Sequence, residues 1–224
     1  MVYSLAIDTA TDVCSVALFG DDELLLGRVA DGARNHASSL SPLIDELLVE
    51  CGVRPDRVLL SEGPGSYTGL RIGASTAKGL CFGWDVPLVP VSTLQLLCAG
   101  LDGGGADLLC PMIDARRMEV YTAFFTPDLR QQGEVTPMIV DGASFAGELA
   151  KGVVLFAGNG AGKCRDVIKH PNARFAPDAV PLAHNAMKAL KASEGLKELT
   201  GPDMAYYEPF YLKEFQATVS KKRL

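Results

Sequence analysis

The sequence has few of the features that mark membrane, secreted or nucleic-acid-binding proteins. No apolar run approaches the ~18 residues that a transmembrane helix needs, and the opening MVYSLAID lacks the charged start of a signal peptide and predicts a strand. Lysine and arginine form no run except the terminal KKRL, and the net charge is −6, so we expect no direct binding to RNA or DNA. With 48 % apolar residues among 224, we expect a cytoplasmic globular protein with one large domain or two small ones.

Cysteine and histidine are too scattered to suggest a disulfide framework or a metal site. The three histidines, His36, His170 and His184, form no HxxxH or HExxH pattern, so we predict no bound metal and no metallopeptidase activity. Ser66 and Cys81, the candidate nucleophiles, have no base nearby in sequence, and no catalytic residue is predicted. No CxxC pair is present, and we expect reduced, mostly buried thiols at Cys14, Cys51, Cys81, Cys98, Cys110 and Cys164.

Two pairs of similar segments recur in the same order along the chain. IDTATDVCSVALF, from Ile7, resembles IDARRMEVYTAFF, from Ile113, and each predicts an apolar strand ending in Asp, a short turn and a second strand. VLLSEGPG, from Val58, resembles VVLFAGNG, from Val153, and both predict a buried strand that runs into Gly-x-Gly. Together the matches favour a duplicated architecture.

Periodicity and turn residues predict a similar order of elements in both halves. The first half is predicted to have strands near 2–9, 12–20, 23–30, 57–61 and 87–91, and helices near 36–51, 67–83 and 93–101. The second is predicted to have strands near 108–115, 118–126, 134–140 and 152–157, and helices near 142–150, 162–169 and 181–193. Three strands, a helix, a strand and a helix, twice over, is the plan of the actin-like ATPase (ASKHA) fold. We therefore predict an α/β chain with two βββαβα subdomains, at 1–103 and, with the C-terminal tail, at 104–224.

Small residues recur every four positions from the stretch GPGSYTGLRIG, residues 63–73, onward. Gly65, Gly69, Gly73 and Ala77 would share one face of a helix. Since a glycine inside a helix costs roughly 1 kcal/mol relative to alanine, this face predicts close approach to another element. That element could belong to the same chain or to a second subunit, and the spacing leaves both open.

The preceding helix is the second candidate for the same contact. Leu40, Ile44 and Leu47 form an apolar stripe at helical spacing, and Leu43 widens it. His36 stands at the start of this helix without a companion ligand or acid. A capping or interface role is therefore favoured over a catalytic one.

The glycine stretch does not match a P-loop, although backbone N–H groups at a helix start can hold an anion. It has no lysine and no GK[ST] ending, and the later AGNGAGKC, residues 157–164, departs from the pattern at Ala157 and Cys164. In the actin-like fold two hairpins, each with an Asp and a glycine-bearing turn, clasp the nucleotide instead. Here neither turn contains glycine, which close approach to phosphate requires. The candidate anion or nucleotide contacts are Asp8, Thr9, Gly63, Gly65, Ser66, Thr68 and Asp114.

Several segments over about residues 4–125 resemble the bacterial TsaB (YeaZ) family: LAIDTATDVCSVAL, NHASSLSPLIDELL, GPGSYTGLRIGASTAKGL, VPLVPVSTLQLL and IDARRMEVYTAFF. The resemblance implies an inactive relative of TsaD, the actin-like subunit that transfers a threonylcarbamoyl group to an adenosine beside the tRNA anticodon. It implies binding to a TsaD-like protein, which a TsaE-like ATPase joins, and a homodimer through the same helices when the chain is alone. ATP and metal are expected on the partner subunits, with no cofactor on this chain, and tRNA contact is expected to be only indirect.

In that family the contact resembles a bundle of two helices from the first half of each subunit, which matches the two helices selected above by spacing. The predicted interface residues are His36, Leu40, Leu43, Ile44, Leu47, Gly69, Leu70, Gly73, Ala74, Ala77 and Leu80. An actin-like ATPase or kinase stays open as the alternative function. It would need Asp8 and Asp114 to bind the nucleotide and its metal despite their turns.

Overall fold

The computed structural model describes residues 1–30, 36–193 and 197–212, and its strands form two five-stranded sheets. The elements of the first sheet and its helices are β1 (Tyr3–Asp8), β2 (Ser15–Gly20), β3 (Glu23–Val29), α1 (His36–Cys51), β4 (Arg57–Ser61), α2 (Tyr67–Trp84), β5 (Leu88–Val91) and α3 (Thr93–Ala99). β1 pairs antiparallel with β2 and parallel with β4, which gives the order β3-β2-β1-β4-β5. The apolar β1 and β4 therefore lie in the middle, where a strand is covered on both faces.

The second sheet repeats this arrangement. Its elements are β6 (Leu108–Asp114), β7 (Glu119–Phe125), β8 (Gln131–Ile139), α4 (Ala146–Leu149), β9 (Val154–Ala157), α5 (Ala161–Cys164) and β10 (Ala173–Ala176). A 3-10 helix (Ala183–Asn185), α6 (Ala186–Ala192) and α7 (Gly201–Ala205) follow. The order β10-β9-β6-β7-β8 is that of the first sheet with β6 in the place of β1. The predicted duplicated actin-like fold is thereby confirmed.

Alternate residues of the central strands face two different cores. Leu5 and Ile7 of β1 pack in a cluster with α1 and α2, whereas Ala6 belongs to a cluster that contains α3, α6 and Ile113 of β6. This follows from the two-residue period of a strand, which sends neighbouring side chains to opposite faces. The first sheet therefore carries α1 and α2 on its outer side and shares the helices of its inner side with the second sheet.

The second half differs from the sequence prediction in its short elements. β10 and α7, of four and five residues, were not predicted, and each sheet has a fifth strand beyond the βββαβα plan. The helix predicted at 142–150 is only Ala146–Leu149, because the Asp141 carboxylate accepts the N–H groups of Ala143 and Ser144 and holds a turn there. α5 stops at Cys164, and the helix predicted at 181–193 is a 3-10 turn followed by α6.

The last described segment, residues 197–212, returns to the first half of the molecule, and we call it the C-terminal arm. Leu199 exchanges two backbone hydrogen bonds with Leu88 at the edge strand β5, at 2.8 and 3.0 Å. Leu199 and Met204 are buried in the core of the first sheet. The predicted subdomain boundary at residue 103 stays a prediction. The arm was predicted to belong to the second subdomain, but it packs on the first. Residues 213–224 lie outside the described residues. In the described part of the chain, no helix has both the length and the apolar character to cross a membrane.

Candidate functional site

The turn that follows β1 packs against the start of α2. The backbone N–H of Ser66 donates to the Ala10 carbonyl at 2.7 Å, and the Thr9 hydroxyl donates to the Gly69 carbonyl at 2.8 Å. Thr9 and Ala10 are fully buried by this contact. We call residues 9–11 the docked turn, because they follow the central strand β1 and hydrogen-bond to the start of α2.

The glycines just before and inside α2 are required by this contact. A Cβ atom would lie 2.4 Å from the Ala10 carbonyl oxygen at Gly65, 2.0 Å from the Thr9 carbonyl oxygen at Gly69, and 2.4 Å from Thr9 Oγ1 at Gly73. Atoms at such distances leave room for hydrogen only, which glycine alone supplies. Of the two alternatives left by the four-residue spacing, the structure therefore shows the intramolecular one for this face.

His36 fixes α1 to the same turn. Its Nε2 lies 2.7 Å from the Thr11 carbonyl oxygen, to which the ring donates, and the side chain is half-buried. The ring also lies next to α2, since its Cδ2 is 3.4 Å from the position of a Cβ at Gly69. The docked turn consequently holds the first residues of both helices, and the hydrogen bond of His36 is accounted for without a ligand.

Most of the predicted interface residues lie inside the chain. Three of the eleven, His36, Leu43 and Leu80, are half-buried. The other eight are buried: Leu40, Ile44, Leu47, Gly69, Leu70, Gly73, Ala74 and Ala77. The buried side chains form the layer between the helices and the first sheet, so the sequence pattern selected the inner faces of α1 and α2. Partner contact by these residues stays a prediction, and the exposed surface of the two helices is made by others.

The side of α2 that points away from the sheet is exposed. Phe82 is 84 % exposed, and a Cβ at Gly79 or Gly83 would meet no atom within 4 Å among the described residues. Arg71 and Ser75 are exposed on the same arc of the helix, and we call these five residues the outer face of α2. A bare backbone beside an exposed aromatic ring allows a second chain to approach closely.

Asp8 is buried at the end of β1, beneath the docked turn. Its Oδ2 has no hydrogen-bond partner, and its Oδ1 accepts a long bond of 3.4 Å from the Ala10 N–H. Burial raises the pKa of this carboxyl to about 7, although hydrogen bonds from Ser61 and Ala10 act in the opposite direction. A carboxylate that holds a nucleotide's metal must be ionised and accessible, and the burial of Asp8 opposes both conditions.

The polar groups of the glycine loop are used to build the loop. The Gly63 N–H donates to Thr93 Oγ1 at 3.0 Å, and the Gly63 carbonyl accepts the Thr93 N–H at 3.0 Å. Ser66 caps α2 by accepting the Gly69 N–H at 3.3 Å, and Thr68 is exposed. Anion binding by Gly63, Gly65, Ser66 and Thr68 stays a prediction.

Asp114, the counterpart of Asp8 in the second half, forms an ion pair. Lys163 of α5 contacts its Oδ1 and also donates to the Glu119 carbonyl at 2.6 Å. The same Oδ1 accepts the Arg116 N–H at 2.8 Å, and the Asp114 N–H donates to Asn159 Oδ1 at 2.9 Å. Lys163 therefore pairs with the carboxylate that would bind the nucleotide's metal ion in an actin-like clasp. In the sequence, Lys163 is only part of AGNGAGKC, which does not match a P-loop, and its ion pair with Asp114 was not predicted.

The second Gly-x-Gly packs against strand β6, whereas the first packs against the turn that follows β1. The Gly160 N–H donates to the Met112 carbonyl at 2.9 Å, and a Cβ at Gly158 would lie 2.6 Å from that oxygen. The repeat found in the sequence thus has a packing cause in both halves. No group of three or more His, Cys, Asp or Glu side chains in the described residues is placed to hold a metal. All six thiols are free, and burial raises the pKa of each.

The C-terminal arm lies along α2, and this contact was not predicted from the sequence. Lys78 of α2 donates to the Ala205 carbonyl at 2.9 Å. Closer to the start of the helix, the Phe210 N–H donates to the Glu62 carbonyl at 2.8 Å. Periodicity carries no signal for such a contact, because its partners are more than 120 residues apart and the arm has little regular structure.

Comparisons with known proteins agree with this architecture. The curated protein named tRNA threonylcarbamoyladenosine biosynthesis protein TsaB from Haemophilus influenzae is 39 % identical over 122 residues, which are 52 % of this chain and 51 % of that one. The protein of the same name from Bacillus subtilis is 36 % identical over 127 residues, 54 % of each chain. The matched segment spans about half the length of these curated relatives. YeaZ from Pseudomonas aeruginosa superimposes with a TM-score of 0.80 at 28 % identity, over 95 % of this chain and 100 % of that one.

The sequence model of the family described as TsaD, tRNA N6-adenosine threonylcarbamoyltransferase, matches residues 30–220, which is most of the chain. This chain therefore belongs to the TsaD family, and within it to the TsaB/YeaZ group.

Two glycines of the same helix should respond oppositely to alanine. Gly69→Ala should lower the free energy of unfolding by about 1–3 kcal/mol, because its Cβ meets the Thr9 carbonyl. Gly79→Ala, in open space, should raise it by about 0.5–1 kcal/mol through helix propensity. Urea denaturation followed by circular dichroism measures both, and equal changes in the two variants would show that the docked turn is not in contact with Gly69.

The buried Asp8 should make stability depend on pH. Its folded pKa of about 7 lies above the 3.8 of an exposed aspartate, so the folded state holds the proton more tightly and loses stability as pH rises between these values. Between about pH 5 and about pH 8 the wild type should lose about 2 kcal/mol or more that Asp8→Asn does not lose. Urea denaturation at both pH values gives the difference, and parallel losses in the two proteins would contradict the buried carboxyl.

Proposed function

We propose that this chain is a non-catalytic subunit that binds a TsaD-like protein and is needed for threonylcarbamoyl transfer to the adenosine next to the tRNA anticodon. The observation that carries the proposal is the state of the two clasp aspartates in a member of the TsaD family: Asp8 is buried with an unpartnered oxygen, and Asp114 is ion-paired with Lys163. The names of the relatives support the pathway, since each is called a biosynthesis protein of this modified nucleoside.

The side chains at the clasp do not fit ATP and its metal. Arg116 and Arg117 occupy the second turn with φ of 70° and 50°, and their side chains stand where glycine would admit a phosphate to the backbone. The Lys163 ammonium would repel a metal ion placed on Asp114. These contacts support the assignment of ATP and metal to the partner subunits, the TsaD-like protein and a TsaE-like ATPase.

The outer faces of α1 and α2 are the proposed docking surface. Interhelical distance depends on the side chains at the contact, and Gly79 and Gly83 permit a short one. Val49, 75 % exposed on α1, and Phe82 on α2 add apolar area. We propose that the same face forms a homodimer when the partner is absent, because a surface complementary to helices of one relative fits those of another.

The charge of the chain supports an indirect relation to tRNA. A net charge of −6 opposes the polyanionic backbone, whose binding depends on neutralisation by Lys and Arg. The tRNA contacts would then be made by the TsaD-like subunit. A role in tRNA modification would place the chain in the cytoplasm with its substrate.

The second candidate is an actin-like ATPase or kinase. One observation favours it: a buried carboxyl with an unpartnered oxygen, such as Asp8, is typical of a functional position. Isothermal titration of the lone chain with ATP and magnesium separates the two functions. We expect no binding at micromolar concentrations, and a measurable affinity there would favour the ATPase.

A leucine on the outer face of α2 should block the partner without harming the fold. Gly79→Leu places its side chain in open space and replaces a poor helix former, so the variant should be at least as stable as wild type. Its binding to the TsaD-like protein of the same organism should fall at least tenfold in isothermal titration, because the bare helix surface is filled. Gly73→Leu would not serve, since that position contacts Thr9 and Leu60 inside the chain.

The matched control is Gly147→Leu. Gly147 is also helical and open, but it lies in α4 of the second half. This variant should bind as wild type does. If Gly79→Leu binds equally well, the docking surface is not the outer face of α2, and if the wild type does not bind at all, the proposed function is wrong.

A further inference from the structure

The C-terminal arm packs along one side of α2. The ring of Tyr211 lies 5.0 Å from the ring of Tyr67 at the start of the helix, and Lys78, three turns later, holds the Ala205 carbonyl. The arm and the helix therefore run side by side in opposite directions. Because Leu199 and Met204 anchor the arm in the core of the first sheet, its exposed side chains are held in place before any partner arrives.

In the described part of the chain, the exposed aromatic side chains lie along this pair of elements. Among the large apolar residues exposed in the described chain, three are aromatic: Phe82 at 84 %, Tyr206 at 87 % and Phe210 at 43 %. Phe82 lies on the outer face of α2, and the other two lie on the arm. Aromatic residues are enriched at the centres of protein interfaces and often supply much of their binding energy.

The exposed charged residues of the arm and of α1 are mainly acidic. On the arm, Glu198, Asp203 and Glu208 are exposed together with one basic residue, Lys197, and Asp45 and Glu46 are exposed on α1. On α2, Arg71 is exposed, whereas Lys78 is held by the arm. A second copy of this chain would bring the same acidic side chains and a second net charge of −6, whereas a partner with basic side chains at its rim would be attracted.

We propose that the docking surface continues from the outer face of α2 onto the C-terminal arm, with Phe82, Tyr206 and Phe210 as its aromatic contacts, and that its preferred occupant is the TsaD-like protein through a face with a basic rim. This inference rests on the proposed function and adds the C-terminal arm to the docking surface.

Exposed side chains can be removed here without disturbing the core, which gives a direct test. Tyr206→Ser, on the arm, should weaken binding of the full-length chain to the TsaD-like protein about tenfold in isothermal titration, and Phe82→Ser should do the same on α2. The matched control is Ile139→Ser, which removes a side chain that is 73 % exposed on β8 of the second sheet. Its affinity should stay within twofold of wild type. Raising salt from about 50 to about 500 mM should weaken the complex, because the acidic rim is screened.

The outcomes separate this inference from the proposed function. If Tyr206→Ser binds as tightly as wild type while Gly79→Leu does not bind, the arm is outside the surface and the inference is overturned, although the proposed function stands. If wild type does not bind the TsaD-like protein, both fall. If Tyr206→Ser leaves that complex intact but abolishes self-association in sedimentation, the occupant is a second copy and our choice of partner is wrong.

Discussion

The contact between the docked turn and the glycine face of α2 is the constraint on which the rest of the first half depends. The Thr9 carbonyl lies so close to Gly69 that no side chain fits, and the same turn holds His36 at the start of α1. Two helices are thereby fixed on one sheet through three hydrogen bonds from a single turn. Gly69 and Gly73 serve this inner contact, whereas Gly79 and Gly83 lie on the exposed outer face of α2.

The same turn explains why the first half of the expected nucleotide clasp has its polar groups bonded within the chain. In an actin-like protein the turn after the first strand approaches phosphate, but here its carbonyls and hydroxyl are directed at α1 and α2. The aspartate beneath it is sealed from solvent, and its partner in the second half is neutralised by Lys163. Under the proposed function, this turn supports the two surface helices instead of a nucleotide. That change favours recognition of another protein over chemistry on a nucleotide.

The sequence predicts the duplication and the long elements well, because these depend on local patterns. The bounds of α1 follow from helical periodicity, and the glycines of both Gly-x-Gly segments lie against backbone carbonyls, although of different elements. Four-residue spacing could not tell an inner face from an outer one, since Gly69 and Gly79 differ only in what lies opposite. Strand β10 is too short for its alternation to be read. The Lys163–Asp114 ion pair and the position of the arm join distant parts of the chain, and no local pattern reports them.

The central claim is that this chain supports threonylcarbamoyl transfer without doing chemistry. The most direct test is modification of tRNA by the TsaD-like and TsaE-like proteins of the same organism, with wild-type chain, with the double variant Asp8→Asn, Asp114→Asn, or with none. The account predicts no modification without the chain and a rate within about twofold of wild type with the double variant, because neither carboxylate contacts the reacting groups. A folded double variant that binds its partner but fails to support modification would contradict it.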